Sequence, residues 1–250
     1  EAGSGGMRFL VFASRNCKEI VRDPLNLAFG FGFPIVLLLM LTAIQANIPV
    51  SLFRIEELAP GMAVFGLASI SLFCGMLIAK DRSTSFLMRL FTSPLSASDF
   101  ILGYTSPMLP IAVMQCAICF AVSIFLGLAM NVNVLVAIAV LIPAVVLFIG
   151  IGLMAGTVLT DRQVGVMVGA GLTNACAWLS GIWFAPGLVG GWFESVAYVL
   201  PFVYAVNTAR AAIVGDYAAI FPQLWWVIGY AVVIMTTAIF IFRKKMDNDN

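Results

Sequence analysis

The chain has 250 residues, of which 62% are hydrophobic and only 10% are charged, and its formal net charge is +1. Soluble globular domains carry about 25% charged residues, so this composition excludes a soluble fold and predicts an all-α polytopic membrane protein. The small net charge gives no support for nucleic-acid binding. The absence of histidine removes the commonest proton shuttle and metal ligand.

The N-terminal region predicts a helix that lies on the membrane surface. Residues 1–6 have the composition of a cloning remnant, so we expect a single domain over residues 7–250. Residues 7–22 place their charged side chains on one side of a helix, which is expected to face outward. The charged side comprises Arg8, Arg15, Lys18, Glu19 and Arg22, and the apolar side comprises Leu10, Ala13, Cys17, Ile20 and Val21, with Val11 as the exception.

Six apolar segments are long enough to cross a bilayer, which takes about 20 helical residues. The spans are predicted near residues 25–44, 58–79, 105–129, 134–159, 164–185 and 223–242. Residues 101–160 carry no charge but are too long for one crossing, and the Asn131-Val-Asn133 sequence predicts the turn that divides them. With six crossings both termini lie on one side of the membrane.

The distribution of basic residues predicts which side this is. Of the 13 Lys and Arg residues, only Arg54 and Arg210 fall on the side opposite the termini. Because cytoplasmic loops carry the excess of Lys and Arg, both termini are expected to be cytoplasmic.

Residues 186–222, between the last two spans, contain apolar pieces that are too short to cross the membrane. Glu194, Pro201, Arg210 and Asp216 interrupt them. We expect one or two short re-entrant helices that dip into the outer leaflet, rather than a plain extracellular loop, because a hydrated loop would not carry so many apolar residues.

Residues 80–103 form a charged amphipathic segment between the second and third predicted spans. One face of the predicted helix carries Arg82, Ser85 and Arg89, and the other carries Leu87, Leu90 and Phe91. Pro94 ends the helix. The segment is interpreted as a short cytoplasmic helix that a soluble partner contacts, and an ordinary basic loop is the alternative that the residues leave open.

Four motifs in chain order resemble the membrane subunit of ABC-2 type exporters. Residues 15–39 resemble the elbow helix and first span of that family, and residues 82–103 resemble its coupling-helix region, matching at Thr84, Arg89, Leu90, Pro94 and Gly103. Residues 179–186 resemble the end of the fifth span, and residues 200–210 the re-entrant region with its Pro201 and closing Arg210. Ser83 and Met88 depart from the usual glycine and acidic residue of the coupling region.

The resemblance implies a permease that is not an enzyme by itself. The chain has no phosphate-cradling GxxxxGK[ST] loop, so it is expected to bind no cofactor, and ATP and Mg²⁺ would belong to a separate ATPase subunit. A second permease, identical or paralogous, and membrane lipid are the other implied partners, in a bacterial-type plasma membrane. The residues expected to couple to the ATPase are Arg15, Lys18, Arg22, Asp81, Arg82, Thr84, Arg89, Leu90 and Phe91.

No ionisable residue lies centrally in a predicted span, which counts against an ion-coupled carrier or a membrane enzyme. We expect a hydrophobic or amphipathic cargo, drug- or antibiotic-like, with lipids or lipid-linked glycans as the alternative. The expected cargo path lies on the first, second and fifth spans, which line the path in the family. Its candidates are Phe29, Phe33, Phe65, Phe73, Met76, Asn174 and Trp178, each with lipid contact or core packing as the alternative.

Glycines spaced four residues apart allow close helix packing. The pairs are Gly152/Gly156, Gly165/Gly169 and Gly187/Gly191. Packing within the subunit is the favoured interpretation, and a subunit interface is the alternative.

Overall fold

The computed structural model describes residues 2–84 and 97–248, and the described residues are almost entirely helical. The α-helices are α1 (Ala2–Val21), α2 (Pro24–Asn47), α3 (Ile55–Ser83), α4 (Ala97–Phe125), α5 (Val132–Val140), α6 (Ile142–Val158), α7 (Asp161–Val164), α8 (Thr173–Leu179), α9 (Gly191–Val199), α10 (Pro201–Val214) and α11 (Tyr217–Asn248). A π-helix occupies Gly165–Leu172, and a short 3-10 helix occupies Pro186–Leu188.

Within residues 2–84 and 97–248, five helical segments are long and apolar enough to cross a membrane, and they correspond to the first, second, third, fourth and sixth predicted spans. The third, α4, begins before the predicted residue 105 and ends before residue 129. The fourth consists of α5 and α6, which meet at Leu141 because a proline stands in the first turn of α6. Asn131 caps α5 by accepting a hydrogen bond from the backbone N–H of Asn133, so the turn predicted there is confirmed.

The predicted fifth span is shorter than expected and is not one regular helix. It consists of α7, the π-helix and α8, and it ends at Leu179 instead of reaching residue 185. Gly181 follows with a φ of 74°, a left-handed conformation that glycine adopts readily and that no helix can continue through. The prediction was wrong here because apolar composition alone does not reveal this turn.

The region between the last two spans contains the predicted pair of short helices. Helices α9 and α10 have nine and 14 residues and meet at an angle of 73°. The bend falls at Leu200, which is extended, and Pro201 begins α10, where its missing N–H costs no helical hydrogen bond. Gly215, with a φ of 86°, ends α10 before the turn into α11.

Helix α3 lies at the centre of the core and packs closely against α6. A side-chain carbon on Gly156 would lie 2.5 Å from the Gly75 carbonyl oxygen, and one on Gly152 would lie 2.4 Å from that of Ser71. These two glycines therefore allow the backbones to touch, which confirms packing within the subunit for the Gly152/Gly156 pair. A side-chain carbon on Gly165 would meet nothing within 4 Å.

Candidate functional site

A buried ion pair joins α1 to the end of α3. Arg15 donates two hydrogen bonds to the Asp81 carboxylate, at 2.5 and 2.9 Å, and the Tyr104 hydroxyl donates a third at 2.9 Å. Asp81 is only 2% exposed, so these donors replace the water that its charge would otherwise need. The hydrogen bond to Asp81 raises the pKa of the Arg15 guanidinium above its usual value, against a smaller lowering by partial burial.

Helix α1 is also held by α4, the helix that follows residues 85–96. The Asn16 side-chain amide donates to the Gly103 carbonyl oxygen at 2.9 Å. The Phe12 ring packs edge-on against Phe100 and Tyr104, with centroids 5.7 and 4.9 Å away. A side-chain carbon at Gly103 would lie 2.1 Å from the Phe12 ring, so glycine is what lets this ring sit there.

These contacts identify the side of α1 that packs against the other helices. Its buried side comprises Phe12, Asn16 and Ile20, whereas Leu10 and Val21 of the predicted apolar side are exposed. Arg15, which was expected to face outward, binds Asp81, and Asn16 binds Gly103; both partners come from later helices. Charge periodicity within α1 could not reveal either partner.

Arg82 binds the end of α6. Its guanidinium donates to the carbonyl oxygens of Gly156 at 2.8 Å, Thr157, and Leu159 at 3.3 Å. These are carbonyls of the last turn, where intrahelical donors are missing and positive charge is favoured by the helix dipole. Arg82 therefore links the end of α3 to the end of the fourth span.

The remaining coupling candidates lie in three environments. Lys18 is exposed on α1, and Arg22 is exposed in the turn just after it. The Thr84 hydroxyl donates to the Lys80 carbonyl oxygen at 3.1 Å just after α3. Arg89, Leu90 and Phe91 lie outside the residues that the structure describes. Sequence reasoning missed Phe12, Asn16 and Tyr104. The only feature of the sequence that could have pointed to this contact region is Asn16, a lone amide next to Arg15 in an amphipathic helix.

The cargo-path candidates on α3 are mostly buried. Phe65 and Phe73 are in the core, and Met76 is half-buried. Phe33 of α2 lies beside Phe65, with ring centroids 5.8 Å apart. Phe73 and Met76 line an open cavity of about 400 Å³ between α1, α2, α3 and α7.

The other path candidates lie on the exposed side of the subunit. Phe29, Phe33 and Trp178 are exposed, and Trp178 lies 6.1 Å from the Phe184 ring. The Asn174 amide donates to the Ala170 carbonyl oxygen at 2.7 Å, within its own helical segment. The structure therefore does not gather the seven candidates into one enclosed site.

Arg210 connects the re-entrant region to the rest of the bundle. Its guanidinium donates to the Glu57 carbonyl oxygen at 3.1 Å and to the Gly181 carbonyl oxygen at 2.9 Å. Pro201 is buried at the start of α10, and Glu194 lies in the first turn of α9. Arg210 thus ties α10 to the start of α3 and to the turn after α8.

Within the described residues no cluster of acidic or cysteine side chains has the geometry to hold a metal ion.

Comparisons with known proteins agree with this architecture. Residues 7–214 match the model of the ABC-2 type transporter family, which covers most of the chain. "Putative transport permease ycf38" of Pyropia yezoensis is 29% identical over 120 residues, 46% of this chain and 41% of the relative. The protein of the same name from Porphyra purpurea is 29% identical over 136 residues, 51% of this chain and 47% of the relative. The matched stretch thus spans less than half the length of each relative. The extent of the family match places the chain in the ABC-2 type transporter membrane family.

Proposed function

We propose that this chain is the permease subunit of an ATP-driven exporter. It works with a separate ATPase subunit, which holds ATP and Mg²⁺, and with a second permease that is identical or paralogous. It resides in a bacterial-type plasma membrane with both termini in the cytoplasm. The family match and the names of the two relatives support a permease role.

The observation that carries the proposal is the anchoring on both sides of residues 85–96. Before this segment, Asp81 is bound by Arg15 and Arg82 is bound to the end of α6. After it, Gly103 and Tyr104 contact the same helix, α1. A partner that pushes on the segment would therefore move α1, α3, α4 and α6 together, which is what a docking site for an ATPase requires.

We propose that the cargo is hydrophobic or amphipathic, drug- or antibiotic-like, with lipids or lipid-linked glycans as the alternative. The exposed aromatic rings of Phe29, Phe33 and Trp178 support this choice. Only 22% of the most apolar 18-residue stretch of α2 is buried inside the subunit. The helix therefore presents a wide apolar face, which could contact a second permease and a cargo held between the two permeases.

The substitution Arg89→Ala tests the docking assignment. The purified chain is reconstituted in liposomes with its ATPase, and ATP hydrolysis and transport of a labelled amphipathic dye are measured together. We expect normal membrane insertion and continued hydrolysis but loss of transport, because the arginine lies in the proposed docking helix. Arg54→Ala, which removes an exposed arginine from the opposite face, is the matched control and should transport normally.

Undiminished transport by the Arg89→Ala variant would show that the docking assignment is misplaced. Transport by the chain without any ATPase, driven by an ion gradient alone, would overturn the exporter proposal itself.

A further inference from the structure

The cavity between α1, α2, α3 and α7 is lined by both charged and apolar side chains. Its volume of about 400 Å³ lies within the range of about 300–1,000 Å³ that is typical of small-molecule sites. Its rim carries five charged side chains, and its inner wall is apolar. The charged residues are Glu19, Arg22, Asp23, Lys80 and Asp161.

The rim offers both signs of charge within one opening. Arg22 and Lys80 suit a phosphate, for which arginine and lysine are the usual protein donors. Glu19 and Asp161 suit an ammonium group, and Glu19 also lies 3.7 Å from Arg15. A ligand with a phosphate and an amine a few bonds apart would satisfy both sets of groups.

The inner wall is suited to a hydrocarbon chain. Phe73 and Leu77 of α3 form part of it, together with the half-buried Met76. A side-chain carbon on Gly30 of α2 would lie 2.4 Å from the Phe73 ring, so the two helices close tightly beside the cavity. The apolar wall and charged rim together match a molecule that is half lipid and half zwitterion.

We propose that this cavity binds an aminophospholipid, with the headgroup phosphate at Arg22 and Lys80 and its primary ammonium at Glu19 and Asp161. An ethanolamine headgroup fits better than choline, because an ammonium group donates hydrogen bonds to carboxylates and a trimethylated nitrogen donates none. The lipid comes from the leaflet beside α1. Phe73 and Met76 are also cargo-path candidates, so this proposal rests in part on the proposed function, but its test measures lipid binding and needs neither transport nor an ATPase.

The test is native mass spectrometry of the full, delipidated chain mixed with one synthetic lipid at a time. The lipids share their acyl chains and carry an ethanolamine, a choline or a glycerol headgroup on the phosphate. We expect about tenfold tighter binding of the ethanolamine lipid than of either other lipid, because the others lack the charged donor. If the glycerol lipid binds as tightly as the ethanolamine lipid, only the phosphate is recognised. If the choline lipid binds as tightly, the carboxylates make no hydrogen bonds to the headgroup. Either result overturns the proposal.

Two variants locate the binding. Met76→Trp fills the cavity without changing charge, and Lys80→Ala removes a phosphate ligand. Each should lower binding of the ethanolamine lipid about tenfold, whereas Lys244→Ala, an exposed lysine at the end of α11, should leave it unchanged. Thermal unfolding of each variant separates lost binding from lost folding. If Met76→Trp folds normally and binds the lipid as the unchanged chain does, the lipid lies elsewhere and the proposal fails.

Discussion

Helices α3 and α11 are similarly long and apolar, yet the subunit uses them in opposite ways. In the most apolar 18-residue stretch of α3, 78% is buried by other parts of the subunit, whereas only 17% of the corresponding stretch of α11 is buried. The glycines of α3 lie against neighbouring side chains or backbone, and Gly229 of α11 meets nothing within 4 Å. Apolar composition therefore determines that a helix crosses the membrane, and small residues and buried charges determine which helix becomes the core.

The largest expected effect comes from filling the contact between α3 and α6. Gly156→Val places a branched side chain 2.5 Å from the Gly75 carbonyl oxygen, which cannot move aside as a flexible side chain can. We expect a loss of about 3 kcal/mol or more, because overpacking costs about 1–3 kcal/mol even without a backbone contact. Thermal unfolding in detergent, followed by size-exclusion chromatography, measures the loss.

Gly229→Val on α11 is the matched control, since the added side chain meets open space. Its stability should change by less than about 0.5 kcal/mol. If the two valine variants lost equal stability, the contrast between core helix and peripheral helix would be wrong.

A smaller effect is expected from the buried ion pair. Arg15→Ala leaves the Asp81 carboxylate buried without its main partner, although the Tyr104 hydroxyl remains. Breaking a buried pair costs about 3–5 kcal/mol. Because the Arg15 side chain is itself 31% exposed, we expect about 2 kcal/mol in the same unfolding assay.

The exposed pair of Arg54 and Glu56, 3.6 Å apart, provides the comparison. Arg54→Ala should cost less than about 1 kcal/mol, as surface pairs do. A larger loss for Arg54→Ala than for Arg15→Ala would contradict the role given to Asp81.

Gly103→Ala tests how α1 is attached. The added methyl group would lie 2.1 Å from the Phe12 ring, so the ring must leave its contacts with Phe100 and Tyr104. We expect a loss of about 1–2 kcal/mol and faster protease cleavage within α1. Gly32→Ala on α2 is the control, because nothing lies within 4 Å of the added methyl group, and it should be neutral or slightly stabilising. If the protease cleaves α1 of the Gly103→Ala variant at an unchanged rate, the packing of Phe12 against Gly103 is wrong.

The smallest effect compares two candidate path residues. Phe65 is 4% exposed and Phe29 is 65% exposed. Phe65→Leu should cost about 1 kcal/mol, as a nearly volume-conserving core change does, and Phe29→Leu should change stability by less than about 0.5 kcal/mol. A transport defect in Phe29→Leu without a stability change would identify it as a cargo contact, whereas a stability loss as large as that of Phe65→Leu would place it in the core.

Much of the fold follows from composition and spacing. Apolar runs predict five of the spans, and Pro201, which interrupts the apolar pieces of residues 186–222, begins α10. The partners of α1 could not be predicted, because Arg15 pairs with a residue 66 positions later and Asn16 with one 87 positions later. The π-helix at Gly165–Leu172 could not be predicted from the sequence either, because its residues have the same apolar composition as a regular α-helical span.

The candidate site was predicted in part. Asp81 and Arg82 stand out as charges at the end of an apolar run, but the sequence indicates only that they lie near the membrane surface. That both bind inside the subunit depends on carbonyls and donors of α1, α4 and α6. Such contacts arise from helix packing, which no local pattern in residues 80–84 records.

The attachment of α1 also implies an order of events during synthesis. This helix leaves the ribosome before α3 and α4, but the Asp81 carboxylate and the Gly103 carbonyl that hold it are made 66 and 87 residues later than the groups they bind. Until then the exposed apolar residues Leu10 and Val11 are suited to keep α1 on the lipid surface. The contacts that hold α1 can form only when the third span has entered the membrane, so α1 is made before α3 and α4 but reaches its native position after them.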